Sequence, residues 1–187
     1  MFVILFGAWV RITHSGAGCG AHWPTCNGEI IPFQPSLETM IEYTHRLTSG
    51  LCGIFGLVML AFAGKRFGVR HRVFFAQSLT LLFIIFEGAI GAGLVLKELV
   101  ADDASWARAF VISLHLVNTF LLTGSAAASA YFAESRLPKV QLSPGLKRMF
   151  LGTGAFMVLV AMAGAITALG DTLFPVAVTE GAGFFAH

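Results

Sequence analysis

The chain alternates long uncharged stretches with short clusters of charge. No Asp, Glu, Lys or Arg falls within 47–64, 109–133 or 149–170, and 73–96 holds a single one, Glu87. A helix rises 1.5 Å per residue, so about twenty apolar residues cross a hydrocarbon core of about 30 Å. The pattern predicts membrane spans near 39–64, 73–96, 109–133 and 149–170. Residues 3–10 look like the end of a further span, too short to cross alone. They lack a basic start and a small-residue cleavage site, so they make a poor signal peptide. The expected fold class is all-α, a polytopic transmembrane helical bundle.

Composition supports this class. The chain is 56% hydrophobic and 12% charged, with a mean hydropathy of +0.79, whereas soluble domains carry about 25% charged residues. Its positive charges then suggest an orientation. Lys65, Arg66, Arg70 and Arg72 lie in loop 65–72, and Arg136, Lys139, Lys147 and Arg148 lie in loop 134–148. Loop 97–108 sets Lys97 and Arg108 against Glu98, Asp102 and Asp103. The positive-inside rule places 65–72 and 134–148 in the cytoplasm and 14–38 and 97–108 outside. The net charge of +2 is then a matter of topology and gives no reason to expect nucleic acid.

Two histidines stand out against the apolar background. The second and fourth spans both run from outside to inside, and His45 and His115 each lie about six residues into theirs, roughly 9 Å below the outer boundary. An ionisable group inside a membrane is costly and points to function. A facing imidazole pair suits the two axial positions of a haem iron; two unrelated interhelical contacts are the plainer reading. Glu42 shares a helix face with His45 three residues later. It either orients a ligand, handles protons or stabilises positive charge, or it simply pairs with Arg46. Glu87 is expected at about the depth of the histidines, facing the bundle, in a proton-handling or a structural role. Ser49 and Cys52 continue the His45 face, and Asn118 and Thr119 the His115 face. Such small polar groups more often bond across helices than do chemistry.

The outer segment holds Cys19 and Cys26 among Gly16, Gly18, Gly20 and Pro24. On an oxidising side these cysteines are expected to form a disulfide, as a structural staple or a redox pair. A metal site with His14 and His22 is a weaker alternative, because the spacing fits no common zinc pattern. Cys52 is expected to be a buried apolar filler. His71 is expected to be solvated, and His187, the last residue, carries no usable signal. Gly50, Gly53, Gly56, Gly88, Gly91 and Gly93 suggest close helix interfaces.

Several segments together resemble bacterial haem A synthase. They are Gly7-Ala-Trp-Val-Arg-Ile-Thr13, Ser15-Gly-Ala-Gly-Cys19, Trp23-Pro-Thr-Cys26-Asn-Gly28 and Ile41-Glu-Tyr-Thr-His-Arg-Leu47, followed by Glu87-Gly-Ala-Ile-Gly-Ala-Gly-Leu-Val-Leu96 and Leu114-His115-Leu116. The resemblance implies an integral protein of the bacterial cell membrane with eight helices in two similar four-helix halves. It implies oxidation of the C8 methyl of haem O to the formyl of haem A, for terminal haem–copper oxidases. One half of such a protein carries haem b and the other is thought to receive the substrate.

By this resemblance His45 and His115 hold the iron of the substrate haem, Glu42 is the glutamate of a Glu-x-x-His motif associated with catalysis, and Cys19–Cys26 is the outer-loop pair of one bacterial subtype. Haem O synthase and terminal oxidase assembly are the implied partners, besides membrane lipid. Residues 1–148 then correspond to the N-terminal half, with an incomplete first helix. Residues 149–187 correspond to the first helix and outer segment of a second half, Gly164-Ala-Ile-Thr167 echoing Gly7-Ala-Trp-Val10. The second histidine pair is missing, so the expectation is a fragment truncated at both ends, with a reduced relative as the alternative, and in either case an incomplete reaction. Arg11 and Arg46 are candidate partners for haem propionates, with lipid phosphate or Glu42 as alternatives. The competing functions are a b-type electron carrier, a haem carrier or assembly protein, and a bundle without cofactor.

Overall fold

The computed structural model describes residues 1–100, 103, 105–134 and 143–173. Asp102, Arg136, Lys139 and the terminal segment with His187 lie outside the described residues. The described chain contains five α-helices: α1 (Phe2–Ile12), α2 (Leu37–Phe67), α3 (Arg72–Leu96), α4 (Trp106–Ala133) and α5 (Pro144–Leu173). One 3₁₀ turn, Ser15–Ala17, follows α1. Four of the helices are long and apolar enough to cross a membrane.

The helices start and stop where the local chemistry directs. Ser36 precedes α2 and its hydroxyl accepts from Thr39 N–H at 3.2 Å. Ser105 does the same for Arg108 N–H at the start of α4, at 3.1 Å. Each cap supplies a partner for a backbone donor that the first turn leaves unpaired. Lys65 and Arg66 lie in the last turn of α2, next to its partially negative end. Gly68 then turns the chain at φ 89°, a value that glycine adopts without a Cβ clash.

The helices pack in chain order, α1 on α2, α2 on α3, α3 on α4 and α4 on α5. The α3–α4 seam is the most extensive. Along it, Ser129 Oγ donates to Gln77 Oε1 at 3.1 Å, Thr80 Oγ1 to Ser125 Oγ at 3.1 Å, and Asn118 Nδ2 to the Phe83 carbonyl at 2.9 Å. Residue numbers rise on one helix as they fall on the other, so the helices are antiparallel. The side chains that seal completely lie elsewhere: Ser15, Cys19 and Cys26, all in the segment between α1 and α2. The helices keep large apolar side chains on their outside, as lipid-facing helices do, including Leu51, Phe55, Phe75, Ile85 and Phe156.

The expected glycine interfaces are realised only in part. A Cβ on Gly56 would sit 3.1 Å from Ile84 Cδ1, and one on Gly53 would sit 3.8 Å from Ile84 Cγ2. Gly50, Gly88, Gly91 and Gly93 face open space in the described structure, so they do not mark tight contacts within it. Cys52 is exposed, not a buried filler, because its position on α2 points away from the neighbouring helices.

Candidate functional site on α2 and α4

His45 and His115 come from helices that both pack on α3 and scarcely touch each other. The two imidazoles nevertheless lie within electrostatic range, and Arg46 is the other charged neighbour acting on His45. His45 Nδ1 is buried and has no hydrogen-bond partner. A buried polar atom without a partner is costly, and such atoms in native structures call for an explanation, an absent ligand among them. On its other side the His45 ring meets α1. A Cβ on Gly7 would lie 3.1 Å from His45 Cε1 and 3.2 Å from Nε2, and Phe6 sets its ring edge-on at 5.7 Å between centroids. The bare backbone at Gly7 is what lets α1 approach this imidazole.

His115 is held differently. Its Nδ1 is buried and lies in close contact with Glu87 Oε2 from α3, out of line for a hydrogen bond. Thr119, one turn along α4, places its hydroxyl 2.6 Å from Glu87 Oε1 and 3.0 Å from the His115 carbonyl. Glu87 thus faces the bundle. Its carboxylate is received by two successive rungs of α4, which makes a charge tolerable inside a membrane segment.

Glu42 is 3% exposed and both its oxygens are engaged. Oε2 accepts from Cys19 N–H at 2.8 Å, and Oε1 accepts from Arg46, with Nε at 3.0 Å and Nη2 forming an ion pair. Arg46 Nη1 also donates to the carbonyls of His22 at 2.6 Å and Thr25 at 2.8 Å. The Glu42–Arg46 pair is therefore a clamp on the outer segment. Cys19 and Cys26 are joined in a disulfide within it, so neither is free to hold a metal with His14 or His22. Gly18 fits the same clamp from above: Thr39 Oγ1 donates to its carbonyl at 2.7 Å, and a Cβ there would come within 2.6 Å of Glu38 and Thr39 backbone atoms.

Ser49 bonds back to the His45 carbonyl at 2.7 Å and does not reach another helix. Asn118 and Thr119 do bond across helices. Gly7, the Thr119–Glu87 contact and the carbonyl bonds of Arg46 did not emerge from the sequence as site features. Their only advance signal was that Arg46 follows Glu42 by one helical turn.

The residues fit a planar iron ligand. The two imidazoles come from helices that scarcely touch each other, the Nδ1 of each is buried without a hydrogen bond, and His45 packs against bare backbone at Gly7. Comparison with known proteins points the same way. Residues 1–185 match the family model described as cytochrome oxidase assembly protein, COX15-CtaA. A protoheme IX farnesyltransferase of Thermus thermophilus is 48% identical over 182 residues, covering 96% of this chain and 30% of that protein. Haem A synthases of Halalkalibacterium halodurans and Shouchella clausii are 36% and 34% identical, covering 88% and 84% of this chain and 54% and 50% of their own. The chain thus spans 30% to 54% of the length of these relatives. No solved structure matches. The match along almost the whole chain, together with these relatives, makes the chain a member of the haem A synthase family of cytochrome oxidase assembly proteins.

Proposed function

We propose that this chain is the substrate-binding half of a haem A synthase, taking haem O between α2 and α4 near the outer membrane face. His45 and His115 would hold the iron, and the reaction would convert the C8 methyl to a formyl group. The observation that carries this reading is the imidazole pair on two helices separated by α3, with His45 Nδ1 buried and unpartnered. When bound, the haem iron supplies the redox centre, and the second half of the family's fold would add haem b.

The chain's own groups have separable tasks. His45 and His115 bind and orient. Gly7 and Phe6 shape the wall beside His45. Glu42, with both oxygens engaged, is suited to act as a fixed negative charge at the substrate edge more than as a mobile proton carrier. Arg46 is engaged by Glu42 and two loop carbonyls, and Arg11, in the last turn of α1, is the other candidate for a propionate. The outer segment, fixed by its disulfide and by Glu42, covers the outer side of α2.

A second reading is favoured by the Thermus relatives, whose name describes transfer of a farnesyl group to protohaem IX. The family model over residues 1–185 is that of a cytochrome oxidase assembly protein, and the haem A synthases of two further organisms match over 84–88% of this chain, which favours the oxidation reading.

The test uses membranes containing the protein, supplied with haem O. A low-spin haem spectrum lost in both His45→Ala and His115→Ala supports the site, and haem A among the extracted pigments supports the reaction. Haem A formation unchanged in Glu42→Gln rejects the role given to Glu42. Absence of haem from the folded wild-type protein overturns the proposal. Conversion of protohaem and farnesyl diphosphate to haem O favours the second reading.

A further inference from the structure

Glu87 is the only acidic residue in α3, and most of its length lies among apolar residues. Its side chain is 17% exposed and meets two groups of α4, the Nδ1 of His115 and the hydroxyl of Thr119. An ionised carboxylate accepts and cannot donate, so an imidazole nitrogen facing it carries the proton. Nδ1 is buried against that carboxylate, while the His115 side chain as a whole is 37% exposed. The accessible ring edge is therefore the opposite one, which bears Nε2.

We propose that Glu87 is a positioning residue for His115: it fixes the imidazole with Nδ1–H toward α3 and Nε2 toward the space between α2 and α4, and Thr119 holds the carboxylate in place. The inference rests on the haem-binding reading above. A histidine that donates its second nitrogen to a carboxylate is fixed in tautomer and orientation and becomes a more basic metal ligand. The asymmetry of the site follows. His115 has the Glu87 carboxylate against its Nδ1, whereas His45 has a glycine and an aromatic edge beside it. The two ligands therefore differ in basicity, and His115 is the anchor of the pair.

The test compares wild type, Glu87→Gln, Glu87→Leu and Thr119→Val in detergent, titrated with ferric haem O. The readouts are haem affinity, the low-spin spectrum and the midpoint potential. Glu87→Leu is expected to bind haem about ten- to a hundredfold more weakly, the range for loss of a carboxylate behind a metal-binding histidine. Glu87→Gln keeps an acceptor and removes the charge, so it is expected to retain haem with a more positive potential. Thr119→Val is expected to move both readouts in the same direction by a smaller amount.

If Glu87→Leu weakens only the thermal stability, with affinity and potential as in wild type, Glu87 is a helix–helix tie and the proposal is overturned. Should Glu87→Leu not fold, the isosteric Glu87→Gln decides: an unchanged potential and spectrum overturn the proposal. Failure of the wild type to bind haem, or binding indifferent to His115→Ala, overturns the haem-site reading itself and this inference with it. Normal haem binding by wild type beside unaffected Glu87 variants overturns this inference alone.

Discussion

His45 is positioned partly by what is missing opposite it. Gly7 brings backbone to the imidazole, and any Cβ there would stand 3.1 Å from the ring. Alanine would require the ring to yield by a few tenths of an ångström; leucine would need the space the ring occupies. Gly7→Leu is therefore expected to lower haem occupancy at least tenfold while helix content by circular dichroism stays at the wild-type level. Gly7→Ala is expected to keep most of the haem, and equal occupancy in all three proteins would show that the α1 contact has no bearing on His45. The polar residues of this site were legible in the sequence because each interrupts an apolar run: His45, His115 and Glu87 stand out by their cost in lipid. Gly7 did not stand out, and Thr119 did so only as one of several small polar groups, without its partner. Their importance depends on which helix lies opposite, and that is decided by packing, not by local pattern. Glu42 was legible as a member of a pair with Arg46, but its bond to Cys19 N–H required the fold of a loop that begins more than twenty residues earlier.

The four long helices follow the uncharged runs closely, and their ends extend a few residues beyond them. Hydropathy marks the part of a helix that crosses lipid, whereas caps such as Ser36 and Ser105 lie in the polar region outside it. The glycine pattern was a poorer guide, since small residues permit close approach without requiring it. Within the α3–α4 seam the polar bonds invite the view that they hold the helices together, and magnitudes argue otherwise. An interhelical hydrogen bond in a membrane contributes about 0.6 kcal/mol on average and about 1.7 at most. Overpacking a filled contact costs about 1–3 kcal/mol. Asn118→Leu, which removes the bond to the Phe83 carbonyl, is thus expected to cost less than Gly56→Leu, which drives a side chain into Ile84 and Leu81. Reversible unfolding of the two variants in mixed micelles measures the difference. The reverse order would mean that the polar ladder, more than the fit of apolar surfaces, sets the stability of the bundle.

At the scale of the molecule, the outer segment and the histidines have to lie at the same end for the site to be coherent. The structure meets this condition, because Glu42 and Arg46 tie residues 19–25 to the turn of α2 that carries His45. Which side of the membrane that end faces rests on the distribution of Lys and Arg alone. Eight of the twelve lie in loops 65–72 and 134–148. Thiol labelling in intact cells resolves this. In a Cys52→Ala background the disulfide leaves no free thiol, so a cysteine introduced at exposed Ile31 or exposed Val69 is the sole target. An impermeant maleimide is expected to label Ile31→Cys directly and Val69→Cys only after the membrane is opened. The opposite pattern would put the disulfide on the reducing side, where it would not persist as a staple, and would move the proposed haem site to the cytoplasmic face. The two sites thus test one physical link: the charges that orient the helices also decide the redox environment of Cys19 and Cys26, and with it the state of the loop that Glu42 and Arg46 tie to the turn of α2 carrying His45.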